Sequence, residues 1–542
     1  MITPPPAGSP PERPLHASLR AHARARPHDT AIVWYGQLIT WRELDDWSDA
    51  LGAHLQSLGV TQGEPVALFL NNCPQYLVAH YAIQKIGATV CPCGPLNKAH
   101  ELQYQLSDLG ARVIIAAAPL LPVVDQVRAD TALEHVLAVR YGDLLPPEPT
   151  LTVPAELQAL PEPLPAGVAD ALQIAKQGAV DGRRPTPVLI QMDDIALMTY
   201  TSGTTGLPKG AMLSFGNAGF KTDVTAQVGE LGAQDVALSV APLYHIAGML
   251  MGVNVPVRVG ATQVLLFRFD PLAVLQAIAR YGVSFWYSIA PMNVACMQLP
   301  DGASHDLSSL RRNPVTSFGI SFTEPLAAQW QAFTRGPCLS YEAAYGLSET
   351  HTMDSGMPPD AIRWGTHGKP MPGVTIRIVD PDSGAEKPVG EVGEITLHSP
   401  GNFKGYWNKP EASAKTLRDG WVWTGDMGRL DAEGYLTFIG RTKEMIKVSG
   451  YSVFPEEVET LLIKHPAVAQ AAVLGEPDPS KGEVVKAFIV RRPGATLDAE
   501  ALIAWSRDNM APYKVPRHVK FIDALPATGA GKVLRRLLRE ID

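Results

Sequence analysis

A segment rich in glycine and hydroxyl residues carries the side chains best suited to chemistry. Residues 200–210 read Tyr-Thr-Ser-Gly-Thr-Thr-Gly-Leu-Pro-Lys-Gly and follow an apolar stretch at residues 195–198. Glycines let backbone N–H groups approach a ligand closely, and the hydroxyls and Lys209 supply further donors, so this loop is suited to wrapping phosphate groups. It is not a Walker A loop, because Lys209 follows Pro208 and no serine or threonine comes next.

The same segment resembles the phosphate-binding signature of the adenylate-forming enzymes, which include acyl-CoA synthetases, aryl-CoA ligases, peptide-synthetase adenylation domains and luciferases. The resemblance extends over roughly residues 20–540 and is to the acyl-CoA synthetases and fatty-acid–CoA ligases in particular. Its other motifs are residues 345–349 (Tyr-Gly-Leu-Ser-Glu), 423–426 (Trp-Thr-Gly-Asp), 440–444 (Gly-Arg-Thr-Lys-Glu), 447–451 (Lys-Val-Ser-Gly-Tyr), and 526–528 with 531–532 (Pro-Ala-Thr and Gly-Lys).

The resemblance implies that ATP and AMP bind to the glycine-rich loop and to the motifs after it. Asp426 is expected to accept hydrogen bonds from both ribose hydroxyls with Arg441 assisting, and Tyr345 to stack on adenine. Glu349 and Thr201 are expected to bind Mg²⁺, which prefers a carboxylate together with phosphate oxygens. The expected nucleotide-binding residues are Thr201, Ser202, Gly203, Thr204, Thr205, Gly206, Lys209, Gly319, Tyr345, Gly346, Ser348 (in place of the usual threonine), Asp426 and Arg441.

A two-step reaction cycle follows from the same resemblance. A carboxylate that attacks the α-phosphate of ATP must overcome repulsion between two anions, and Lys532 is expected to supply the cation for this step. The C-terminal domain is then expected to rotate about Lys443, so that the strand at residues 447–451 faces the site and guides the CoA thiol. Lys447 is the catalytic candidate in this strand, and the expected CoA-binding residues are Ser449, Gly450 and Tyr451.

The acid is expected to lie in an apolar pocket. Residues 242–248 resemble the acyl-pocket element of CoA ligases, and His245 stands near the position where peptide-synthetase domains place an aspartate for the substrate's amino group. An ammonium buried without a carboxylate is costly, which argues against amino acids. His245 is either a catalytic pocket gate or a hydrogen-bonded core histidine. The expected pocket residues are Tyr244, Met249, Trp286, Met292 and Phe318.

One stretch departs from the superfamily pattern. A small Gly-Gly-Ala-Pro-like segment near the adenine is replaced by Phe-Gly-Ile-Ser-Phe-Thr at residues 318–323. The bulky Phe318 and Ile320 are expected to reshape the acyl tunnel or the adenine wall. No arginine or lysine stands in the pocket segments to pair with a second carboxylate, which disfavours dicarboxylic acids.

Strand and helix patterns alternate along the chain and must position these motifs. Thr40 and Glu43 have capping-box spacing ahead of a helical pattern, and residues 65–70 and 113–117 resemble buried strands. Such alternation is typical of α/β folds. The expected fold is a large N-terminal domain of helix-covered, mostly parallel sheets with a small β subdomain, followed by a small mobile α+β C-terminal domain. Further predicted elements are helices at 75–86, 101–109, 168–176, 271–281, 324–333, 455–464 and 498–509, and strands at 283–287, 374–379, 391–397, 469–474 and 484–490.

Composition shifts set the expected domain boundaries. Proline-rich residues 1–15 predict a disordered tail. Residues 16–442 form the predicted N-terminal adenylate-forming domain, with its β-rich subdomain from about residue 372, and residues 443–542 form the C-terminal domain.

Overall composition excludes several classes of protein. Of the 542 residues, 46% are hydrophobic and 18% charged, which is typical of a globular chain. The net charge of −8 disfavours nucleic acid as a partner. Five scattered cysteines do not suit a disulfide framework, and Cys91 and Cys93 favour a strand end over a metal site. The absence of a signal peptide and of a long apolar run predicts a cytoplasmic protein; peripheral membrane contact and the choice between monomer and homodimer stay open.

These observations predict an ATP- and Mg²⁺-dependent acid–CoA ligase for a small-molecule carboxylic acid, with a medium- or long-chain fatty acid favoured. ATP, Mg²⁺ and CoA are the expected cofactors. An aryl-acid CoA ligase of the coumarate or benzoate type, and an acyl-AMP ligase that loads a carrier protein, are the alternatives. A regulatory relic without turnover is disfavoured because Lys532, Glu349 and Asp426 are all present, and nothing in the sequence demands the oxygen chemistry of a luciferase.

Overall fold

Helices and strands alternate through most of the chain in the computed structural model, which describes residues 11–159, 162–201, 207–317, 320–448, 451–478, 481–528 and 533–541, without the side chains of residues 451 and 452. The helices are α1 Leu15–Ala25, α2 Trp41–Ser57, α3 Pro74–Lys85, α4 Ala99–Leu109, α5 Leu121–Arg128, α6 Ala171–Val180, α7 Phe215–Val228, α8 Ile246–Met249, α9 Val255–Val259, α10 Pro271–Tyr281, α11 Ala290–Met297, α12 Glu324–Thr334, α13 Pro410–Thr416, α14 Pro455–Leu462, α15 Ala499–Asn509 and α16 Arg535–Leu538.

The strands are β1 Thr30–Trp34, β2 Gln37–Thr40, β3 Pro65–Phe69, β4 Thr89–Pro92, β5 Val113–Ala117, β6 His135–Val139, β7 Val168–Asp170, β8 Ile195–Thr201, β9 Lys209–Ser214, β10 Val236–Ser239, β11 Thr262–Leu265, β12 Phe285–Trp286, β13 Ser288–Ile289, β14 Arg312–Thr316, β15 Leu339–Glu342, β16 Ala344–Tyr345, β17 Ser355–Gly356, β18 Lys369–Pro370, β19 Thr375–Val379, β20 Gly393–His398, β21 Leu417–Arg418, β22 Trp421–Leu430, β23 Leu436–Arg441, β24 Ile446–Val448, β25 Tyr451–Val453, β26 Val468–Asp478, β27 Gly482–Arg491 and β28 His518–Phe521.

Two large, mostly parallel sheets form the centre of the N-terminal part. One has the order β7-β6-β5-β3-β4-β8-β9, in which the last pair is antiparallel. The other has the order β13-β14-β12-β10-β11-β1-β2 with β15 beside β14, and its β1–β2 pair is antiparallel. Strands β3 and β5 are buried along their whole length, as expected where helices cover both faces of a sheet. The predicted helix-covered parallel sheets are confirmed.

Smaller sheets follow. Antiparallel strands β19, β20, β21, β22 and β23 form the β-rich unit after residue 372, and β16, β17 and β18 form a short antiparallel sheet. The C-terminal part has a sheet of order β25-β24-β27-β26, with β28 parallel to β27 and helices α14 and α15 packed beside it. This agrees with the predicted small α+β domain; its mobility stays a prediction.

Local sequence signals set several of these boundaries. Glu43 N–H donates to Thr40 Oγ1 at 3.2 Å, and Glu43 Oε2 accepts from Thr40 N–H at 2.8 Å, so the predicted capping box begins α2. Asp270 Oδ1 accepts from Ala273 N–H at the start of α10, and Gly282 at φ +63° ends that helix. A complete set of start and stop signals therefore gave α10 the predicted bounds.

Four predictions differ from the structure. The predicted tail at residues 1–15 is too long, because Pro11 is buried and α1 begins at Leu15; residues 1–10 are outside the described chain. The helix predicted at 168–176 is preceded by strand β7 and starts at Ala171. The strand predicted at 283–287 is divided into β12 and β13. The single strand predicted at 447–451 is a pair of antiparallel strands, β24 and β25, because Val448 pairs with Tyr451.

All five cysteines are buried and free, and Cys91 lies on β4 with Cys93 directly after its end, which agrees with the predicted strand end. Burial raises the pKa of Cys73 and Cys93 to about 12 and that of Cys338 to about 11. Among the described residues, no helix is both long enough and apolar enough to cross a membrane.

Candidate active site

The strands that flank the glycine-rich loop form an antiparallel hairpin. Thr201 ends β8 and Lys209 begins β9, and the two residues pair, with Thr201 Oγ1 lying 3.5 Å from the Lys209 carbonyl oxygen. Tyr200 donates to Asp108 Oδ2 at 2.7 Å, and Lys409 Nζ lies 2.9 Å from Asp108 Oδ1. The base of the loop is thus held by helix α4, whereas the predicted residues Ser202, Gly203, Thr204, Thr205 and Gly206 lie outside the described residues.

Lys209 and Glu349 meet at one buried aromatic residue. The Lys209 ammonium lies 4.1 Å from the ring centroid of Tyr406, and the Tyr406 hydroxyl donates to Glu349 Oε1 at 2.7 Å. Burial lowers the pKa of Lys209, the Glu349 charge opposes this shift, and the Lys443 charge adds to it. Burial and the Glu349 charge raise the pKa of Tyr406 well above its ordinary value, so its hydroxyl stays protonated.

Glu349 lies in a turn of unusual backbone conformation. Ser348–Thr350 form a 3₁₀ turn, and the next three residues, His351, Thr352 and Met353, have φ values of +58°, +60° and +52°. The left-handed region is unfavourable for residues with a Cβ. Gly346 lies against this turn, because a Cβ at Gly346 would be 2.4 Å from the Met353 nitrogen. Close packing of backbone against backbone therefore fixes the position of the Glu349 backbone.

A completely buried ion pair holds the far end of that turn. Lys221 Nζ lies 2.6 Å from Asp354 Oδ1 and donates to the Met353 carbonyl oxygen at 3.1 Å. The hydroxyl of Thr350 donates to the other Asp354 oxygen. Burial lowers the pKa of Lys221 and raises that of Asp354, and each charge favours the ionised form of the other. Helix α7 is thereby joined to the turn that carries Glu349.

Asp426, Tyr345 and Arg441 form a second cluster. The Tyr345 hydroxyl donates to Asp426 Oδ2 at 2.8 Å, and Arg441 Nε lies 3.2 Å from Asp426 Oδ1. One face of the Tyr345 ring stacks on Phe438, with centroids 5.8 Å apart. Burial lowers the pKa of Arg441, but the charges of Asp426, Glu444, Tyr345 and Glu349 raise it overall, so the two clusters lie within electrostatic range of each other.

The loop after β14 is tied to a buried carboxyl group. Ser317 donates to Glu342 through its N–H group at 3.1 Å and through its hydroxyl, and Phe322 N–H donates back to Ser317 Oγ at 2.8 Å. Burial raises the pKa of Glu342 to about 7. Both Ser317 and Phe322 are therefore held in place by hydrogen bonds that lead to Glu342. Phe318 and Gly319 lie outside the described part of the chain.

The residues predicted to line the acyl pocket lie in several core segments. Tyr244 is partly buried, Met249 is buried, and Met292 on α11 is partly buried. Trp286 is completely buried, and its ring centroid lies 5.8 Å from that of Trp330 on α12. His245 precedes α8, and its Nδ1 accepts from Ala247 N–H at 3.4 Å. The role of these residues as a pocket lining stays a prediction.

The predicted hinge lies close to the first cluster. Lys443 occupies the 3₁₀ turn Thr442–Glu444 directly after β23, and its charge affects the pKa of Lys209. Lys447 has an exposed side chain on β24, and its backbone N–H donates to Glu483 Oε2 at 2.8 Å. Lys532, Ser449 and Gly450, and the side chain of Tyr451, lie outside what the structure describes.

An arginine network joins the hinge turn to the end of the chain. Arg535 on α16 lies 2.5 Å from Glu444, 3.1 Å from Glu456 and 2.8 Å from Glu459. Burial raises the pKa of Glu456 to about 7 and also raises that of Glu459, against the opposing Arg535 charge. The segment that follows Lys532 is thus fixed to the turn that contains Lys443.

Sequence reasoning missed three groups at this site: Tyr406, the Lys221–Asp354 pair, and Glu342 with Ser317. The hydrogen-bonded partners in these groups are 25 to 133 residues apart in the chain, Lys209 and Tyr406 are still farther apart, and no local period signals such contacts. One signal was available for Tyr406, because three aromatic residues, Phe403, Tyr406 and Trp407, stand close together in the short segment before α13.

The sequence and the structure of this chain are similar to those of known AMP-binding enzymes and CoA ligases. The sequence profile of the AMP-binding enzyme family matches residues 19–407, and that of the AMP-binding enzyme C-terminal domain matches residues 457–532. A long-chain-fatty-acid–CoA ligase of Bacillus subtilis (strain 168) is 33% identical over 98% of this chain and 95% of its own length. A feruloyl-CoA synthase of an Amycolatopsis species is 35% identical over 95% of this chain and 96% of its own. The crystal structure of the anthranilate CoA ligase AuaEII in complex with anthranoyl-AMP superposes with a TM-score of 0.83, at 29% identity, over 98% of this chain and 97% of that chain.

Proposed function

Because the chain belongs to the AMP-binding enzyme family and is an AMP-forming acid–CoA ligase, we propose that it activates a medium- or long-chain fatty acid. The acid and ATP would give an acyl-adenylate and pyrophosphate, and CoA would then give the thioester and AMP. The observation that carries this proposal is that the Tyr406-linked pair Lys209 and Glu349 lies within electrostatic range of the Asp426–Arg441 pair.

Each group has a proposed part in adenylation. The buried carboxylate of Asp426, oriented by Tyr345 and Arg441, would accept the ribose hydroxyls and fix the nucleotide. Lys209 would balance the charge of the phosphates, and Lys532 that of the attacking carboxylate and the α-phosphate. These cations lower the repulsion that two anions feel as they approach.

The residues present suit Mg²⁺ as the ion that accompanies ATP. Glu349 offers a carboxylate and Thr201 a hydroxyl, which are the hard oxygen donors that Mg²⁺ prefers, and phosphate oxygens and water would complete its shell. Among the described residues no group of three or more His, Cys, Asp or Glu side chains could hold a metal ion by itself, as expected for an ion bound together with ATP. The ion would neutralise phosphate charge.

We propose the hinge at Lys443, between an N-terminal domain of residues 16–442 and a C-terminal domain of residues 443–542. The position of Lys443 in a short turn between two sheets supports this boundary. Rotation there would exchange Lys532 for Lys447, Ser449, Gly450 and Tyr451 at the site. The five buried thiols suit a reducing compartment, and we propose the cytoplasm.

An aryl acid is the second candidate substrate. The feruloyl-CoA synthase is 35% identical to this chain and the fatty-acid–CoA ligase 33%, and the anthranilate CoA ligase has the same fold at 29% identity. Bulky residues, Phe318 and Ile320, stand where the superfamily has small ones, and they would shorten a tunnel and favour a flat ring.

A panel of acids distinguishes the two candidates. Pyrophosphate release is measured with saturated fatty acids of six to eighteen carbons, with benzoate, anthranilate, coumarate and ferulate, and with succinate as the dicarboxylic control, each with and without CoA. We expect the highest kcat/KM for a fatty acid of eight carbons or more, and release without CoA to stop after about one turnover. A highest kcat/KM for an aryl acid would replace the fatty-acid proposal, and release that never depends on an added acid would contradict ligase activity altogether.

A further inference from the structure

Tyr406 lies between Lys209, which is proposed to bind phosphate, and Glu349, which is proposed to bind Mg²⁺. Its ring centroid is 4.1 Å from the Lys209 ammonium, and its hydroxyl donates to Glu349 Oε1 at 2.7 Å. Lys209 and Glu349 are both described, and no salt bridge joins them. The cation instead contacts the face of the ring, where the quadrupole is negative, and the carboxylate contacts the hydroxyl proton.

The backbone around Tyr406 holds the ring in this place. Residues 404–407 run beside β9: Met212 N–H donates to the Gly405 carbonyl oxygen at 3.0 Å, and Trp407 N–H donates to the Gly210 carbonyl oxygen at 2.8 Å. Tyr406 N–H donates to Ser413 Oγ at 2.7 Å. Tyr406 is therefore attached to the same strand that begins with Lys209, and only 5% of its surface is exposed.

A direct contact between Lys209 and Glu349 would oppose nucleotide binding. If Lys209 and Glu349 formed an ion pair in this partly buried site, the pair would have to be broken before Lys209 could bind phosphate or Glu349 could bind Mg²⁺. With Tyr406 between them, the ammonium keeps its N–H donors for phosphate oxygens, and the second oxygen of the carboxylate remains for a cation.

We propose that Tyr406 is a positioning residue of the MgATP site, whose ring holds Lys209 toward the phosphates and whose hydroxyl orients Glu349 toward Mg²⁺. This inference rests on the proposed adenylation chemistry. It makes separate predictions for the two halves of one side chain, because Tyr406→Phe removes the hydroxyl alone, whereas Tyr406→Leu removes the hydroxyl and the aromatic face.

The experiment compares both variants with a matched control. Tyr435 is also buried, with a hydroxyl that donates to the Ala361 carbonyl oxygen and a ring 4.3 Å from the Arg363 guanidinium, so Tyr435→Phe makes the same chemical change at a tyrosine that contacts neither Lys209 nor Glu349. The measurements are ATP binding by calorimetry with and without Mg²⁺, the Mg²⁺ dependence of acid-dependent pyrophosphate exchange, and thioester formation from supplied acyl-adenylate.

For Tyr406→Phe we expect the Mg²⁺ concentration at half-maximal exchange to rise about tenfold, from the loss of a hydrogen bond to a charged group, with Mg²⁺-free ATP binding unchanged. For Tyr406→Leu we expect Mg²⁺-free ATP binding to weaken as well, by roughly fivefold, through the lost cation–π contact. Thioester formation from acyl-adenylate should stay within twofold of wild type in both variants, and Tyr435→Phe should match wild type throughout.

Three outcomes would overturn the inference. One is a Mg²⁺ dependence of Tyr406→Phe equal to that of Tyr435→Phe. Another is an equal loss of exchange and of thioester formation, which a merely structural residue would produce. The third concerns Glu349→Gln: if Tyr406→Phe weakens Mg²⁺-dependent ATP binding as much in that background as in wild type, the hydroxyl does not act through Glu349. Calorimetry reports on Tyr406 even if wild type shows no acid-dependent exchange, a result that would contradict the proposed function instead.

Discussion

Glu342 is a carboxyl group whose surroundings determine its protonation. It is buried beside the loop after β14, and both of its oxygens accept from Ser317. Burial raises its pKa from the ordinary 4.5 to about 7 in the folded protein. Glu342 therefore binds its proton more tightly in the folded state than in the unfolded chain. Its protonation contributes to the free energy of unfolding in full below pH 4.5, and this contribution is lost as pH rises through 7.

Glu342→Gln should remove this pH dependence, because glutamine mimics the protonated carboxyl. Relative to the variant, wild type is expected to lose stability on the order of 3 kcal/mol between pH 4.5 and pH 8. Thermal unfolding of both proteins across this range measures the change, with the exposed Glu391→Gln as the control. A Tm difference between wild type and Glu342→Gln that is constant with pH would contradict the shifted pKa.

The sequence motifs name candidate site residues and pair a few of them, but most of the contacts between distant segments could not be predicted from them. Asp426 and Arg441 were expected to act together, and the structure has them 3.2 Å apart. Tyr406 was missed because its importance lies in the partners it touches, Lys209 and Glu349, which come from segments about 200 and 57 residues away. Motifs identify residue types, whereas long-range packing decides which of them meet.

Among the elements of the candidate site, the turn after Gly346 has a shape that depends on a single residue. Gly346→Ala would place a Cβ 2.4 Å from the Met353 nitrogen and 2.7 Å from the Thr352 carbonyl carbon. Backbone atoms cannot move aside as a flexible side chain can, so the left-handed residues 351–353 and Glu349 must shift.

We expect Gly346→Ala to lower kcat/KM for ATP by at least a hundredfold, because small displacements of a positioning group are costly. Gly434→Ala is the control, since a Cβ there meets nothing within 4 Å although its φ of +82° also favours glycine. Steady-state kinetics of both variants measure the effect. Equal activity in the two variants would contradict a requirement for the close approach at Gly346.

Element boundaries followed the sequence where local signals were complete. Helix α10 has an aspartate cap, a proline at its first position and a left-handed glycine at its end, and its bounds were predicted to the residue. The strand predicted at 447–451 failed, because two three-residue strands joined by a Ser-Gly pair have the same composition as one longer strand. The pairing of β24 with β25, and not strand propensity, separates the two strands.

At the scale of the whole molecule, the hinge turn joins two sheets and also contacts the end of the chain. Glu444 follows Lys443 and pairs with Arg535, only three residues after Lys532. A rotation at Lys443 would therefore carry the Lys532 segment with it as part of one body.

Lys443→Pro should restrict this rotation, because proline fixes φ near −65°. We expect acid-dependent pyrophosphate exchange to stay within about threefold of wild type and thioester formation from supplied acyl-adenylate to fall by at least tenfold. Lys532→Ala is expected to show the opposite division between the two half-reactions. Loss of the same half-reaction in both variants would contradict a pivot at Lys443.

The five buried thiols offer a chemical probe for the opening of the N-terminal core. The thiolate is the form that reacts with an alkylating reagent, and a cysteine whose pKa is about 12 presents almost none of it until the surrounding core opens. Every cysteine lies at or before position 338, so swinging of the last hundred residues would leave the labelling rate untouched. The rate of alkylation would therefore report the opening of the N-terminal core, and a ligand that lowered this rate would be one that stabilises that core.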